Sequence, residues 1–147
     1  MDVQIRYAQS ADLPTIFAFV KDLALFEKAP EAVTAKITDY ESAFESGLIG
    51  ALVAEVDGQA IGMALYYETF STWKGKMLHL EDFIVNENMR GHGIGRLIFE
   101  RVIEEARLRS CKMMKWQVLD WNTPAVDFYK KYNCVIDKEW WDCKLYF

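Results

Sequence analysis

The sequence predicts an α/β domain built on a mixed sheet. Three observations carry that prediction. Alternating, strand-like segments interleave with helical ones; a glycine-rich turn joins a largely apolar strand to the most amphipathic helix; and no linker, repeat or low-complexity tract interrupts the 147 residues. A chain of that length fits one domain, residues 1–147, and buries roughly two thirds of its unfolded surface. The composition, 52% hydrophobic and 27% charged, is that of a globular domain.

Each element has a local reason. Val3 to Tyr7 alternates apolar and polar, as a half-buried strand does. Ser10 or Asp12 caps a helix with Pro14 in its first turn, and Leu13, Ile16, Phe17, Val20 and Leu23 recur at helical spacing. Thr38-Asp39-Tyr40-Glu41 has capping-box spacing, and Gly47 stands where that short helix stops. Ile49–Val56 and Gln59–Phe70 are strands joined by Asp57-Gly58, a strong hairpin signal. Lys76–Val85 carries so little polarity that it reads as a central strand. Ile94 to Arg109 is a helix with Ile94, Leu97, Ile98, Val102, Ile103 and Ala106 on one face. Met113–Leu119 is a strand, Asn122 or Thr123 caps a short helix with Pro124 in its first turn, and Val135-Ile136 and Lys144–Phe147 are closing strands. The order is β-α-α-β-β-β-α-β-α-β-β.

Composition also narrows the function. A net charge of −5 disfavours a nucleic-acid partner and suits a cationic one. The three cysteines, Cys111, Cys134 and Cys143, form no CxxC pair, so reduced thiols in a cytoplasmic protein are expected, with no zinc site. The N-terminal stretch has no basic region followed by an apolar one, and no apolar run approaches the ~20 residues of a membrane span. His79 and His92 lack a third ligand at metal spacing, so no metal is expected.

The most informative segment is Asn86 to Arg96. Glycines after a buried strand let main-chain amides approach a ligand, and the helix that follows adds its unbonded N–H groups and positive dipole end. That combination makes a diphosphate cradle. The segment lacks the Walker A pattern, and Arg96 stands where the dinucleotide fingerprint needs a glycine. Arg90-Gly91-His92-Gly93-Ile94-Gly95 instead resembles R-x-x-G-x-G, the diphosphate-binding pattern of the GCN5-related N-acetyltransferase (GNAT) superfamily. Asn122 to Tyr129 resembles its second signature, N-x-x-A-x-x-F-Y.

The resemblance implies a single-domain fold with a mixed, mostly antiparallel sheet of about six to seven strands, about four helices, and acetyl-coenzyme A as cosubstrate. It further implies that Phe83, Ile84, Val85, Arg90, Gly91, His92, Gly93, Ile94, Gly95, Arg96, Asn122, Pro124, Ala125, Tyr129 and Tyr132 bind that cosubstrate. Nearly the whole chain is also similar to the spermidine/spermine, diamine and thialysine N-acetyltransferase branch, most specifically at Leu80-Glu81-Asp82-Phe83-Ile84-Val85. That similarity implies Glu81 as the residue near the amine that takes its proton, Tyr129 as general acid, Phe26, Glu27 and Glu139 as amine-binding residues, and a homodimer. Phe26 stands where the branch often has tyrosine, and Tyr132-Asn133 replaces a basic-glycine pair.

The chemistry fits those residue types. At pH 7 only roughly one alkylammonium in 10³ has lost the proton that blocks its attack, so a carboxylate that holds the cation and accepts the proton is needed. Strict alternation along the strand sends Asp82 to the face opposite Glu81, which favours Glu81. A main-chain N–H near Phe83 suits the oxyanion. Tyr129, with an ordinary pKa near 10 against about 8.5 for a thiol, can protonate the departing thiolate. Two other readings stand beside this one: a protein lysine or N-terminal acetyltransferase, and a non-catalytic acyl-CoA-binding sensor.

Overall fold

Strands β1 (Gln4–Tyr7), β2 (Gly50–Val56), β3 (Gln59–Ser71), β4 (Gly75–Val85) and β5 (Met113–Trp116) form one sheet in that order. The structure is a computed structural model that describes Met1–Phe147. Neighbours from β1 to β4 are antiparallel, and β4 pairs β5 in parallel. The helices are α1 (Leu13–Phe26), α2 (Ile37–Glu45), α3 (Ile94–Leu108) and α4 (Thr123–Lys130). Residues 1–117 make one compact unit and 118–147 a second.

Within the first unit, α1 buries Leu13, Ile16 and Phe19 against Ala51, Val53, Met63, Leu65 and Ile84, and Tyr40 and Phe44 of α2 pack beside them. The alternate residues Leu52, Ala54, Ala64 and Tyr66 are also buried, and so occupy the opposite face. α3 contributes Ile94, Ile98, Phe99, Val102 and Ala106 to the core. Each of the isoleucine, phenylalanine and valine side chains contributes about 1.5–3 kcal/mol when buried. Leu97, expected on that apolar face, is 41% exposed, and Glu105 takes a core position at 4% exposure. Its carboxylate accepts from the Tyr7 hydroxyl at 2.7 Å, from Arg109 Nε at 2.8 Å and from Arg101 Nη1 at 3.3 Å.

The turns obey their residues. Asp57 and Gly58 adopt φ of 50° and 76°, as a tight hairpin turn requires. Lys36, not Thr38, precedes α2, and its N–H is capped by Asp39 Oδ2 at 2.7 Å. The α3 crossover between β4 and β5 makes their pairing parallel.

Two departures in β4 and β5 matter for the site. Leu65 pairs with Asp82 but Tyr66 pairs with Leu80, so Glu81 is an extra residue, a β-bulge. The β4–β5 ladder runs only from Met77↔Met113 to Leu80↔Trp116. β5 is therefore shorter than the expected Met113–Leu119.

In the second unit, Asn122 caps α4, its side chain accepting from Ala125 N–H at 3.4 Å, with Pro124 in the first turn. Asn133 follows the helix in the left-handed region at φ 54°, which asparagine tolerates better than most residues. Val135-Ile136 and Lys144–Phe147 form no strand, so the sheet has five strands rather than six to seven. An apolar run becomes a strand only where its main-chain groups find a ladder.

Candidate active site

At the turn, Gly91 and Gly93 adopt φ of 81° and 77°, and an added Cβ on either would meet no atom of the protein. Their glycines answer to backbone conformation, not to crowding by the fold. Gly93 caps α3, whose first amide bond is Leu97 N–H to Gly93 O at 3.2 Å. The six main-chain N–H groups from Gly91 to Arg96 thus have no acceptor within the chain. An oxyanion of the diphosphate type fits this donor set. His92 is exposed, with Nδ1 3.3 Å from Met89 O. Arg96 reaches Glu100 at 3.6 Å.

Arg90 does not stand free beside the turn. Its Nε donates to Val85 O at 3.1 Å, and its guanidinium lies 5.5 Å from the centre of the Phe26 ring. Phe26, expected in the amine pocket, thus has its ring against the arginine of the glycine turn. Ile84 is buried, while Phe83 packs on Phe99 at 5.9 Å. Asn86 N–H donates to Ile61 O at 2.8 Å. Counting back by the two-residue period, Phe83 and Val85 turn their N–H and C=O groups away from β3. They face the side on which β5 no longer pairs beyond Leu80.

The bulge makes the acidic side of the site. Glu81 and Asp82 line one cavity of about 550 Å³, together with Glu27 of α1, Asp39 and Tyr40 of α2 and Tyr67 of β3. Asp82 therefore shares a face with Glu81, contrary to the expectation from alternation, because the inserted residue resets the pleat. Four carboxylates and no lysine, arginine or histidine line this cavity.

The carboxylates differ in surroundings. Glu81 Oε2 lies 3.1 Å from His79 Nε2 and accepts from the Tyr67 hydroxyl at 2.9 Å. The His79 hydrogen bond, seconded by Tyr67, holds the Glu81 carboxyl below the usual range against its burial. Burial, and then its hydrogen bond to Glu81, push the Tyr67 phenol up to about 12. Burial, and then the charges of Glu81 and Glu27, push Asp82 up to about 6. Burial also raises Glu27.

Sequence reasoning missed Tyr67 and set Asp82 aside. Tyr67 could have been found by counting back from the β3–β4 turn, since it pairs with His79 and stacks on its ring at 5.0 Å. In the second unit, Tyr129 is buried, its main-chain oxygen accepts from Cys134 Sγ at 3.4 Å, and Phe128 packs on the rings of Tyr129 and Tyr132 at 5.4 and 5.5 Å. Ala125 is half-buried and Pro124 exposed. Glu139 lies in the segment after α4, its N–H bonded to Asp137 Oδ1 at 3.0 Å. No group of three or more histidine, cysteine, aspartate or glutamate side chains is placed to hold a metal ion.

The chain is similar to known proteins. Residues 14–133 match the model of the acetyltransferase (GNAT) family. The chain is 35% identical to a thialysine N-epsilon-acetyltransferase of Bos taurus, covering 96% of this chain and 90% of that protein. It is 33% identical over 86% of its length to the spermidine/spermine N(1)-acetyltransferase-like protein 1 of Homo sapiens, of which it spans 19%. In fold it is similar to an aminoglycoside acetyltransferase from an uncultured soil metagenomic sample, with a TM-score of 0.82, 17% identity, and coverage of 99% and 100% of the two chains.

Proposed function

We propose, given that the chain belongs to the acetyltransferase (GNAT) family and is an acetyl-transferring enzyme acting on amines, that it carries acetyl from acetyl-coenzyme A to a primary amine of a small cationic molecule. The amine is a polyamine, a diamine or an aminoalkyl amino acid, and it attacks directly in a ternary complex. The observation that carries the substrate class is the cavity lined by four carboxylates and no cation. Such a lining draws in an ammonium and repels anions. Residues 1–147 act as one acetyltransferase domain in this reading.

The amides from Gly91 to Arg96 hold the diphosphate of the cosubstrate, with Arg90 fixed to the end of β4. Ile84, Val85, Asn122, Pro124, Ala125 and Tyr132 complete the cosubstrate's site. Glu27 and Glu81 hold the ammonium, and Glu139 contributes a further charge. Phe26, next to Glu27 in the chain, borders the amine site and steadies Arg90. A cavity carboxylate accepts the ammonium's proton, and Glu81 is the one the sequence nominates. The free amine attacks the thioester carbon, and the Phe83 N–H, directed away from β3, stabilises the oxyanion. Collapse breaks the carbon–sulfur bond, and Tyr129 protonates the thiolate. The amide nitrogen's second proton restores the phenol through water. A cytoplasmic homodimer completes the reading; its three cysteines are free thiols.

The test is a thiol-release assay with acetyl-coenzyme A against polyamines, diamines, aminoalkyl amino acids and lysine peptides. Turnover of the small amines well above that of the peptides is the expected result. Preference for peptides favours a protein acetyltransferase, and tight acetyl-coenzyme A binding without thiol release favours a sensor. Calorimetry on Gly93→Val checks the cradle: binding is lost, because valine tolerates neither the positive φ nor a ligand against the main chain.

A further inference from the structure

We propose that Asp82 is the base that takes the substrate's proton, while Glu81 beside it remains the anion that holds the cation. The inference rests on the amine-acetylation reading and assigns the proton within that site.

The geometry begins with the bulge. A regular β4 would present one carboxylate to the cavity, whereas the inserted Glu81 presents two in succession. The two are not equivalent. Glu81 is already engaged through Oε2 by His79 and Tyr67. The Asp82 carboxylate makes no hydrogen bond or ion pair with any side chain or amide of the protein. The titratable groups that line the cavity with it or act on it are Glu27 from α1, Asp39 and Tyr40 from α2, Tyr67 from β3, and Glu81 and His79 from β4 itself. Neither tyrosine hydroxyl donates to it, since that of Tyr67 is given to Glu81.

A carboxylate without donors, partly withdrawn from water and next to two other carboxylates, is where a proton settles. Two carboxylates whose surroundings push their proton affinities apart divide the work of anchor and base. Burial and the neighbouring charges bring Asp82 up to about 6, close to the value suited to accepting a proton at neutral pH, and the donors on Glu81 pull it the other way. The step balances: an N–H bond of the ammonium breaks, its electron pair stays on nitrogen as the nucleophile, and the proton forms the O–H of Asp82. Asp82 returns the proton to water after product leaves, which is the single proton released per turnover.

The experiment is the pH dependence of kcat/KM for the best amine, in wild type and in Asp82→Asn, Asp82→Glu, Glu81→Gln and Glu27→Gln. Wild type loses activity below about pH 6. Asp82→Asn loses about 10²-fold at pH 7 and loses the acidic limb with it, while Asp82→Glu recovers part of the rate. Glu81→Gln raises the amine KM and moves the limb to lower pH, because a neighbouring negative charge is gone. Glu27→Gln moves it the same way by less. Thermal melts of each variant establish folding. Should Asp82→Asn not fold, the shift in Glu81→Gln decides. An Asp82→Asn enzyme within about 3-fold of wild type with its limb intact, or a Glu81→Gln limb that stays or rises, overturns the proposal. If wild type transfers acetyl to no amine, the underlying reading fails instead, and the two failures are distinct.

Discussion

Two carboxylate centres lie in the first unit, one on α3 and one on β4, and they have opposite fates. Glu105 is buried among the Tyr7 hydroxyl, Arg101 and Arg109, and these donors outweigh its burial, holding it below the ordinary range. Asp82 is withdrawn from water among Glu81 and Glu27, and burial wins, pushing it up. The residue chemistry is the same; what differs is whether a cation is built in. A carboxylate given its own arginines is structural. One denied them, at a cavity wall, is available to a cation from outside. Arg90, at the glycine turn, is engaged by Val85 O and the Phe26 ring.

The largest expected effect breaks the structural centre. Glu105→Ala takes one acceptor from the Tyr7 hydroxyl, Arg101 and Arg109 and costs about 2–4 kcal/mol in urea unfolding, a figure lowered by the arginines' partial exposure and by the partners Glu104 and Glu68 that they keep. Its kcat stays within about 2-fold, because the centre does no chemistry. Asp82→Asn tests the other centre in the opposite direction. The Asp82 pKa is higher folded than unfolded, so the cost of its charge is absent near pH 4 and full above about pH 6. The variant therefore gains on the order of 1–2 kcal/mol at pH 8 and nothing at pH 4, read by thermal melts at both.

Smaller effects sharpen the contrast. Tyr67→Phe removes one of the two groups that keep Glu81 ionised, and the amine KM rises about 3–10-fold with the fold intact. Phe26→Leu loosens Arg90 and raises the acetyl-coenzyme A KM by about 2–5-fold, while Phe26→Tyr restores it. An effect on the amine KM alone would return Phe26 to the amine pocket.

Much of this frame was legible in the sequence. Glycine and asparagine punctuation marked the β2–β3 hairpin, the α3 turn and the α4 cap, because the first two demand positive φ and the third a side-chain acceptor for a helix's open N–H. The α3 face was readable from its period, except that Leu97 and Glu105 exchanged burial against expectation. The bulge was not readable. No glycine or proline marks it, and one extra residue leaves the apolar pattern of β4 intact while reversing which face Asp82 joins. The partner of Phe26 was hidden for a different reason: a ring at a helix end has no periodic signature that points to Arg90. The closing strands failed because the apolar residues of Val135-Ile136 and Lys144–Phe147 state a preference without supplying a ladder.

The six bare amides between Gly91 and Arg96 carry a practical consequence. Donors left open by the fold are satisfied by whatever oxyanion the medium offers. On the proposal that this loop holds the thioester carrier, sulfate, phosphate and citrate compete with it there. The same proposal makes the apparent affinity for the acyl donor a property of the buffer as much as of the protein, and a chloride-only medium reads its intrinsic strength.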